Sequence, residues 1–382
     1  MTDWRLKLIT LLHDPPNKVL DLRGHEREAF GVVEQIVGPT DFYTLFGFNA
    51  AGITSNTQWR RVSVGSPKME VIKLADKIAS AIDRTAYPDP VKLYSQDYIP
   101  KAQVRHPFSG ETLALPKVRQ EYLTAGSFDD AQARQSQLYV LNQAKDFLNH
   151  TSLDDFQKKY LALWRGLPYL VDQTHRLLPP DTRMVDHTLW LHLDAASAVV
   201  GALPQPAFLH VGIGPVQSFI AETRRTQDLW VGSYILSYLT WAGLQVIAEN
   251  YGPDAVLYPA LRGQPLMDKW LSQKGVWPAI ENKLPSTGDD TIASIPNKFT
   301  AMIPANAIDK VSGSIVEAVR KQWREIASAV KDNFPGGIPS STWENIWQRQ
   351  IEREDFPEVY WAALPWPNTD RFREANGAEE AL

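Results

Sequence analysis

The chain has 382 residues, of which 44% are hydrophobic and 22% charged, so it is long enough to form two domains with sizeable cores. It contains no cysteine, which excludes disulfides, thiolate nucleophiles and cysteine-ligated zinc, and any metal here must use His, Asp or Glu. The net charge of -5 argues against sequence-independent coating of nucleic acid but not against a local basic groove.

No apolar run approaches the ~20 residues of a membrane helix, and the N-terminus lacks a basic-then-apolar signal. These features predict a soluble cytoplasmic protein without a membrane partner.

The first predicted helix ends in a histidine and an aspartate. Its apolar residues recur at spacings of three and four, and Pro15-Pro16 should end it because proline lacks the helical N–H. His13 and Asp14 then lie at a rigid helix terminus, with Lys18 four residues beyond Asp14. Imidazole and carboxylate suit a divalent transition metal, which lowers the pKa of bound water. The alternative is structural, with Asp14 capping the next segment.

Three further polar residues are candidates to join this pair. Asp76 lies at the edge of the apolar stripe of a helix, where a solvated face is the ordinary interpretation. His25 lies upstream, in a short polar loop, and could be a ligand, a general acid or merely an exposed side chain. His192 shares a helix face with small residues, so close packing should bury it as a ligand or as a hydrogen-bonded core histidine.

Proline and glycine punctuate residues 84–128, which predict a long irregular loop or lid. Helical patterns resume over residues 129–148, 153–173 and 186–200. The first ~200 residues therefore predict an all-helical domain over 1–203, followed by a proline-stiffened connection and a second domain over 207–370.

The second domain changes period from helical to extended. Four apolar strands are predicted at residues 207–213, 254–258, 299–303 and 358–364, with a helical stretch from Gly214 to Glu249 interrupted near residues 230–233. A second helix lies between the third and fourth strands. The order βαββαβ predicts a ferredoxin-like domain, and the chain as a whole is α+β.

The segment Ser286-Thr287-Gly288-Asp289-Asp290 resembles the acidic turn of nucleotide-cyclising palm domains. Such a carboxylate pair requires a tight hairpin between two apolar strands, whereas the flanking residues here have the composition of a loop. We therefore interpret the segment as a polar connection, and we expect no cyclic oligoadenylate synthesis from this chain alone.

Several motifs in order along the chain resemble the large subunit of type III-B CRISPR effector complexes, the HD-plus-palm subunit of the Cmr complex. The matching residues are Leu12-His13-Asp14-Pro15-Pro16 with Lys18, Gly24-His25-Glu26, Ala75-Asp76-Lys77-Ile78-Ala79-Ser80, Asp181-Thr182-Arg183, Gly214-Pro215-Val216-Gln217-Ser218-Phe219-Ile220, Asp228-Leu229-Trp230-Val231-Gly232-Ser233 and Ile295-Pro296-Asn297-Lys298-Phe299.

The resemblance implies an N-terminal HD domain that cleaves single-stranded DNA with divalent metal, followed by the first of two palm domains. The metal ligands would be His13, Asp14, Asp76 and His192, with Lys18 facing phosphate and His25 as a further catalytic candidate. Manganese, nickel or cobalt would suit this ligand set, and magnesium is a further candidate. The implied partners are other Cmr subunits, CRISPR RNA, target RNA and the single-stranded DNA substrate.

Two residues of the second domain are candidates for binding nucleotide. Ser233, near the predicted helix interruption, could meet a phosphate of ATP in the full-length protein, although local capping is the simpler account. Lys298 could contact nucleotide or RNA, although surface lysines are usually solvated.

The sequence departs from the family in two respects. The second palm, its acidic site and the cysteine-ligated zinc element have no counterpart, so the resemblance covers the N-terminal portion only. Leu191 precedes His192, where many relatives have aspartate, and Asp186 with His187 is an alternative pair. Two other functions stay open: an HD phosphohydrolase acting on small nucleotides, and a non-catalytic scaffold of a ribonucleoprotein.

Overall fold

A computed structural model describes most of the chain. The described residues are 2–15, 25–82, 103–105, 112–114, 130–171, 176, 180, 187–276, 284, 288–334, 336, 339–352 and 356–366. The chain divides into two compact units, one containing Asp3–Leu203 and the other containing Pro204–Trp270 and Ser286–Asn368. Residues 271–276 belong to the first unit, although they follow residues of the second unit in the sequence. The prediction of two contiguous domains did not include this crossing.

The first unit is mainly helical. Its elements are α1 Trp4–Leu11, α2 His25–Val37, α3 Pro39–Phe46, α4 Asn56–Val64, α5 Pro67–Ile82, β1 Gln103–Arg105, β2 Thr112–Ala114, α6 Asp130–Asn149, α7 Phe156–Gly166 and α8 Leu189–Ala202. Helix α1 packs against α7 and α8, and α8 packs against α5.

Helix α1 is buried on all sides rather than along one apolar face. Every residue from Leu6 to Leu11 is buried, including the polar Lys7 and Thr10. Both polar side chains donate to backbone carbonyls, Lys7 to Ser197 at 3.0 Å and Thr10 to Leu6 at 2.8 Å. Because these hydrogen bonds offset the cost of burying polar groups, the helix can occupy the middle of the unit.

Two predictions for this unit were wrong in detail. The region is not all-helical, because β1 and β2 form a short antiparallel hairpin with Val104 opposite Leu113. Three-residue strands are too short to give a recognisable alternation. The helix predicted over 153–173 ends at Gly166 and continues as a 3-10 turn, Leu167–Tyr169, because Pro168 cannot donate to a helical ladder.

The second unit contains a four-stranded antiparallel sheet. Its elements are β3 Pro206–Gly214, α9 Val216–Ala221, α10 Thr226–Tyr251, β4 Val256–Tyr258, α11 Pro265–Gln273, β5 Lys298–Pro304, α12 Ile308–Asp332, α13 Ser340–Gln350 and β6 Glu358–Pro365, with α11 running to the boundary between the units and beyond it. The strand order is β4-β5-β3-β6, with His210 opposite Thr300 on β5 and Ala362 on β6. The mixed helix-and-sheet class was predicted correctly.

The core of this unit lies between the sheet and two long helices. Alternate residues of β3 are buried, including Leu209 and Val211, as are Phe299 and Ala301 on β5. This alternation is expected when one face of an antiparallel sheet packs against helices. Helices α10 and α12 pack against each other over this face.

The interruption in the first helical stretch lies before residues 230–233, not within them. Helix α9 ends at Ala221 and α10 begins at Thr226, because the Asp228 carboxylate accepts the backbone N–H groups of Arg224 and Arg225 at 3.2 and 3.1 Å. Gly232 lies inside α10, where a Cβ atom would be 3.2 Å from Ile220. That glycine allows α9 and α10 to approach closely.

Replacing Gly243 by alanine is expected to destabilise the second unit by about 1–3 kcal/mol, because overpacking a core strains it. Its Cβ atom would lie 3.1 Å from Ile315 and 3.4 Å from Phe299. Urea unfolding of this variant should be compared with that of Gly313→Ala in α12, which has open space and should gain up to about 1 kcal/mol from helix propensity. Equal stabilities would contradict the close approach.

Helix α10 is long and apolar enough to meet the composition test for a membrane span, which the sequence prediction did not anticipate. Its most apolar 18-residue stretch has a mean hydropathy of 1.2, and 56% of that stretch is buried within the structure. Leu239, Leu244 and Ile247 pack in the core. This burial is typical of a core helix of a soluble protein.

Candidate metal centre

Four side chains of the first unit converge on one point. His13 and Asp14 follow the end of α1, Asp76 lies in the middle of α5, and His192 lies in the first turn of α8. Each offers one ligand atom, and the four atoms lie within 4.8 Å of one another. The set is the one predicted from the sequence, brought together from three segments.

The contacts between imidazoles and carboxylates are short. His192 Nε2 lies 3.1 Å from Asp76 Oδ1 and 3.6 Å from Asp14 Oδ2, while His13 Nε2 lies 3.5 and 3.4 Å from the same two atoms. The two imidazole rings are 6.1 Å apart. Each histidine therefore reaches both carboxylates, with Nε2 as the nearer nitrogen.

The orientation of His13 is fixed by backbone. Its Nδ1 is 2.6 Å from the carbonyl oxygen of Thr10, which accepts the Nδ1–H. Donation from Nδ1 directs Nε2 toward the carboxylates, where the neutral ring would offer its lone pair to a metal ion. Metal-binding histidines commonly have this arrangement, in which a second hydrogen bond sets tautomer and ring orientation.

Asp76 is the most accessible member, with 34% of its side chain exposed, whereas the other three are buried. Burial raises the pKa of this carboxyl group, and the neighbouring charge of Asp14 also raises it. The hydrogen bonds with His13 and His192 outweigh both effects, so the pKa lies well below its usual value. Asp76 is therefore ionised at neutral pH.

The donor set fits a divalent metal. Ligands about 2.0–2.2 Å from a tetrahedral ion lie about 3.3–3.6 Å from one another, close to the N–O distances of 3.1 to 3.6 Å between these imidazoles and carboxylates. Two nitrogens and two carboxylate oxygens suit manganese, cobalt, nickel or zinc rather than calcium. His13, Asp14, Asp76 and His192 would hold such an ion.

The other predicted site residues have different positions. Lys18 and Asp186 lie outside the described residues, and only the backbone of His25, the first residue of α2, is described. Ser233 lies within α10, where its hydroxyl donates to the Leu229 carbonyl at 2.9 Å. Lys298 is exposed at the start of β5.

Leu191, the residue before His192, lies at the surface. Its side chain is 55% exposed, whereas the following His192 is buried. Both carboxylates near His192 come instead from Asp14 and Asp76. His192, rather than His187, is the α8-side histidine of the cluster among the described residues.

The acidic pair Asp289-Asp290 lies in irregular backbone, as predicted. Asp290 forms an ion pair with Lys269 at 2.8 Å, and Asp289 accepts the backbone N–H of Thr291 at 2.8 Å. The described residues 288–297 contain no strand, so this pair is not presented on a hairpin.

Two supporting contacts were not assigned by sequence reasoning. The Thr10 carbonyl orients His13, and the Ser80 hydroxyl is 3.4 Å from Asp76 Oδ1. The spacing of three and four residues on a helix could have indicated both.

Comparison with known proteins supports the predicted relationship. The family described as CRISPR-associated protein Cmr2, N-terminal, matches residues 208–328. This range does not include the four residues of the candidate metal site. The CRISPR system Cmr subunit Cmr2 of Pyrococcus furiosus is 27% identical over 390 residues, covering 95% of this chain and 43% of that subunit. The chain is a relative of the Cmr2 large subunit. It matches the N-terminal part of that subunit in type III-B complexes.

Two further similarities agree with this relationship. The Cmr2 subunit of Saccharolobus solfataricus is 26% identical over 288 residues, covering 67% of this chain and 23% of that subunit. A chain of the type III-B Cmr-beta cryo-EM structure in the apo state has a TM-score of 0.59 and 20% identity, covering 96% of this chain and 37% of that chain. The fold is therefore shared, and the chain spans less than half the length of each of these Cmr2 relatives.

Proposed function

We propose that the first unit is an HD-type domain that hydrolyses single-stranded DNA within the large subunit of an RNA-guided type III-B antiviral complex. The observation that carries the proposal is the convergence of His13, Asp14, Asp76 and His192 at ligand distances. Relatedness to Cmr2 supports the assignment to this complex, and the chemistry of the four side chains supports metal-dependent hydrolysis.

A divalent metal bound here would supply Lewis acidity toward a phosphodiester and lower the pKa of a water molecule. The residues hold the site in a defined geometry, since the Thr10 carbonyl fixes the ring of His13. The exposed part of the Asp76 side chain would leave the cluster accessible to substrate, whereas the His192 side chain is fully buried. Lys18 would face phosphate, and His25 would be a further catalytic group.

The second unit is best described as a ferredoxin-like palm. Its sheet order, with the first strand between the third and fourth, and its two long helices on one face support this assignment. Its proposed role is structural, together with binding partner subunits and, in the full-length protein, ATP near Ser233 and Lys298. Because Asp289 and Asp290 are not on a hairpin, this chain alone is expected to make no cyclic oligoadenylate.

The proposed partners are other Cmr subunits, CRISPR RNA and target RNA. One matched structure is described as the type III-B Cmr-beta complex bound to cognate target RNA. The proposed location is the cytoplasm, where such a complex would meet invading nucleic acid.

The purified chain is expected to cleave single-stranded DNA in manganese, nickel or cobalt, with magnesium tested alongside. Chelation should abolish cleavage and added metal should restore it, because the ligands stay in position without the ion. Duplex DNA and nucleoside triphosphates serve as competing substrates in the same assay. Faster hydrolysis of triphosphates would favour a small-nucleotide phosphohydrolase, and absence of all metal-dependent hydrolysis, alone and in the assembled complex, would favour a scaffold.

A further inference from the structure

A buried lysine joins the helix that precedes His13 to the helix that carries His192. The side chain of Lys7 is fully buried in α1, and its Nζ donates to the backbone carbonyl of Ser197 in α8 at 3.0 Å. Burying an amino group is costly unless it forms hydrogen bonds, and apolar residues of similar volume often replace buried polar groups without loss of stability. Packing alone therefore does not account for a lysine at this position.

A third helix closes the same contact. Tyr160 of α7 is also fully buried, its ring centroid is 5.3 Å from Lys7 Nζ, and its hydroxyl is 3.2 Å from the Ser197 hydroxyl. The amino group thus has both a carbonyl acceptor and an aromatic face. We call Lys7, Tyr160 and Ser197 the buried latch; it ties α1, α7 and α8 together at one point.

The latch lies on the same rigid elements as two of the proposed ligands. His13 follows Lys7 by six residues along the segment that α1 begins, and His192 precedes Ser197 by five residues within α8. A slide of one helix along the other would change the separation of the two imidazoles, now 6.1 Å. A hydrogen bond from a side chain to a backbone carbonyl is directional, so it resists such a slide better than apolar contact does.

We propose that Lys7 is a positioning residue for the metal centre, setting the register of α1 against α8 so that His13 and His192 reach one ion. The inference rests on the proposed function of the four-residue cluster. Lys7 acts through the helices and touches neither substrate nor metal.

The test compares Lys7→Met, which keeps the length and apolar stem but removes the donor, with wild type in the full 382-residue chain. Manganese affinity is measured by calorimetry, and imidazole nitrogen resonances of His13 and His192 are recorded without metal. The expected result is a loss of about tenfold or more in manganese affinity, as for other residues that orient ligands, with shifted resonances for both histidines. Lys7→Arg, which retains a donor, should recover most of the affinity.

A matched control separates positioning from general stability. Phe42→Leu, in the aromatic cluster of α3 with Phe30 and Phe46, should lower the melting temperature without changing affinity or resonances. Unchanged affinity and resonances in Lys7→Met would overturn the proposal, as would an equal affinity loss in Phe42→Leu. If wild type binds no manganese, the proposed function fails. The metal-free resonances of His13 and His192 then still show whether Lys7 positions the two histidines. Lys7→Leu, which also lacks a donor, replaces Lys7→Met if the latter does not fold.

Discussion

Replacing either His13 or Asp14 by alanine is expected to reduce metal-dependent cleavage of single-stranded DNA by about two orders of magnitude or more. Each contributes one atom to a set of four, and His13 Nε2 lies 3.4 Å from Asp14 Oδ2. Removing one ligand leaves the others unable to hold an ion in the required geometry. Cleavage rates at saturating manganese measure the loss, and circular dichroism checks that the variants remain folded.

The two defects should not add. Ligands of one metal act as a unit, so the double variant should be about as inactive as either single variant. A product of the two separate losses would indicate that the residues act independently, and full activity in a folded double variant would remove the nuclease assignment from this site.

The competing structural role of Asp14 as a helix cap makes a different prediction. A lost cap should lower stability by about 1 kcal/mol and leave cleavage by the folded protein unchanged. Asp155 provides the matched control, since its carboxylate accepts the backbone N–H of Lys158 at 2.7 Å at the start of α7. Asp155→Ala should therefore have a lower melting temperature than wild type and cleave single-stranded DNA at the normal rate.

The four cluster residues could be found from the sequence because each stands beside a strong local signal. Pro15-Pro16 predict that the first helix ends near His13, and α1 ends at Leu11, two residues before it. Small residues on α8 predict the close packing that buries His192. The apolar stripe of α5 leaves Asp76 at its edge. Local patterns thus gave both the elements and the faces on which these side chains lie.

Features that depend on distant partners could not be found in this way. Lys7 is polar yet buried, because its acceptor is the carbonyl of Ser197, which lies 190 residues away in the sequence. The break before α10 depends on where the Asp228 side chain finds backbone donors. A glycine such as Gly232 indicates either a break or a close approach, and only packing against Ile220 distinguishes them.

The four strands of the second unit were located to within two residues at each end because their apolar runs are mostly bounded by proline or glycine. Predicted residues 207–213, for example, correspond to Pro206–Gly214. Their order in the sheet was implied only by the βαββαβ sequence of elements, since pairing is non-local and β3 bonds to β5 and β6 rather than to β4.

Manganese is expected to stabilise the wild-type chain and to leave Asp76→Asn almost unaffected. An ion that binds only the folded state at a hundredfold excess over its dissociation constant raises the unfolding free energy by about 2.7 kcal/mol. The asparagine removes the ionised carboxylate that lies 3.1 Å from His192 and 3.5 Å from His13, and a neutral amide is a poor ligand. Thermal melting with manganese and with chelator gives the difference.

The control for this substitution is Asp290→Asn, which removes a carboxylate paired with Lys269 in the second unit. It should keep the full manganese-dependent rise in melting temperature, because Asp290 is not in the cluster. In chelator, Asp76→Asn should melt somewhat below wild type, since the hydrogen bonds of the carboxylate with His13 and His192 outweigh its burial and the repulsion from Asp14. An undiminished manganese effect in Asp76→Asn would show that the ion binds elsewhere, whatever the cleavage assay reports.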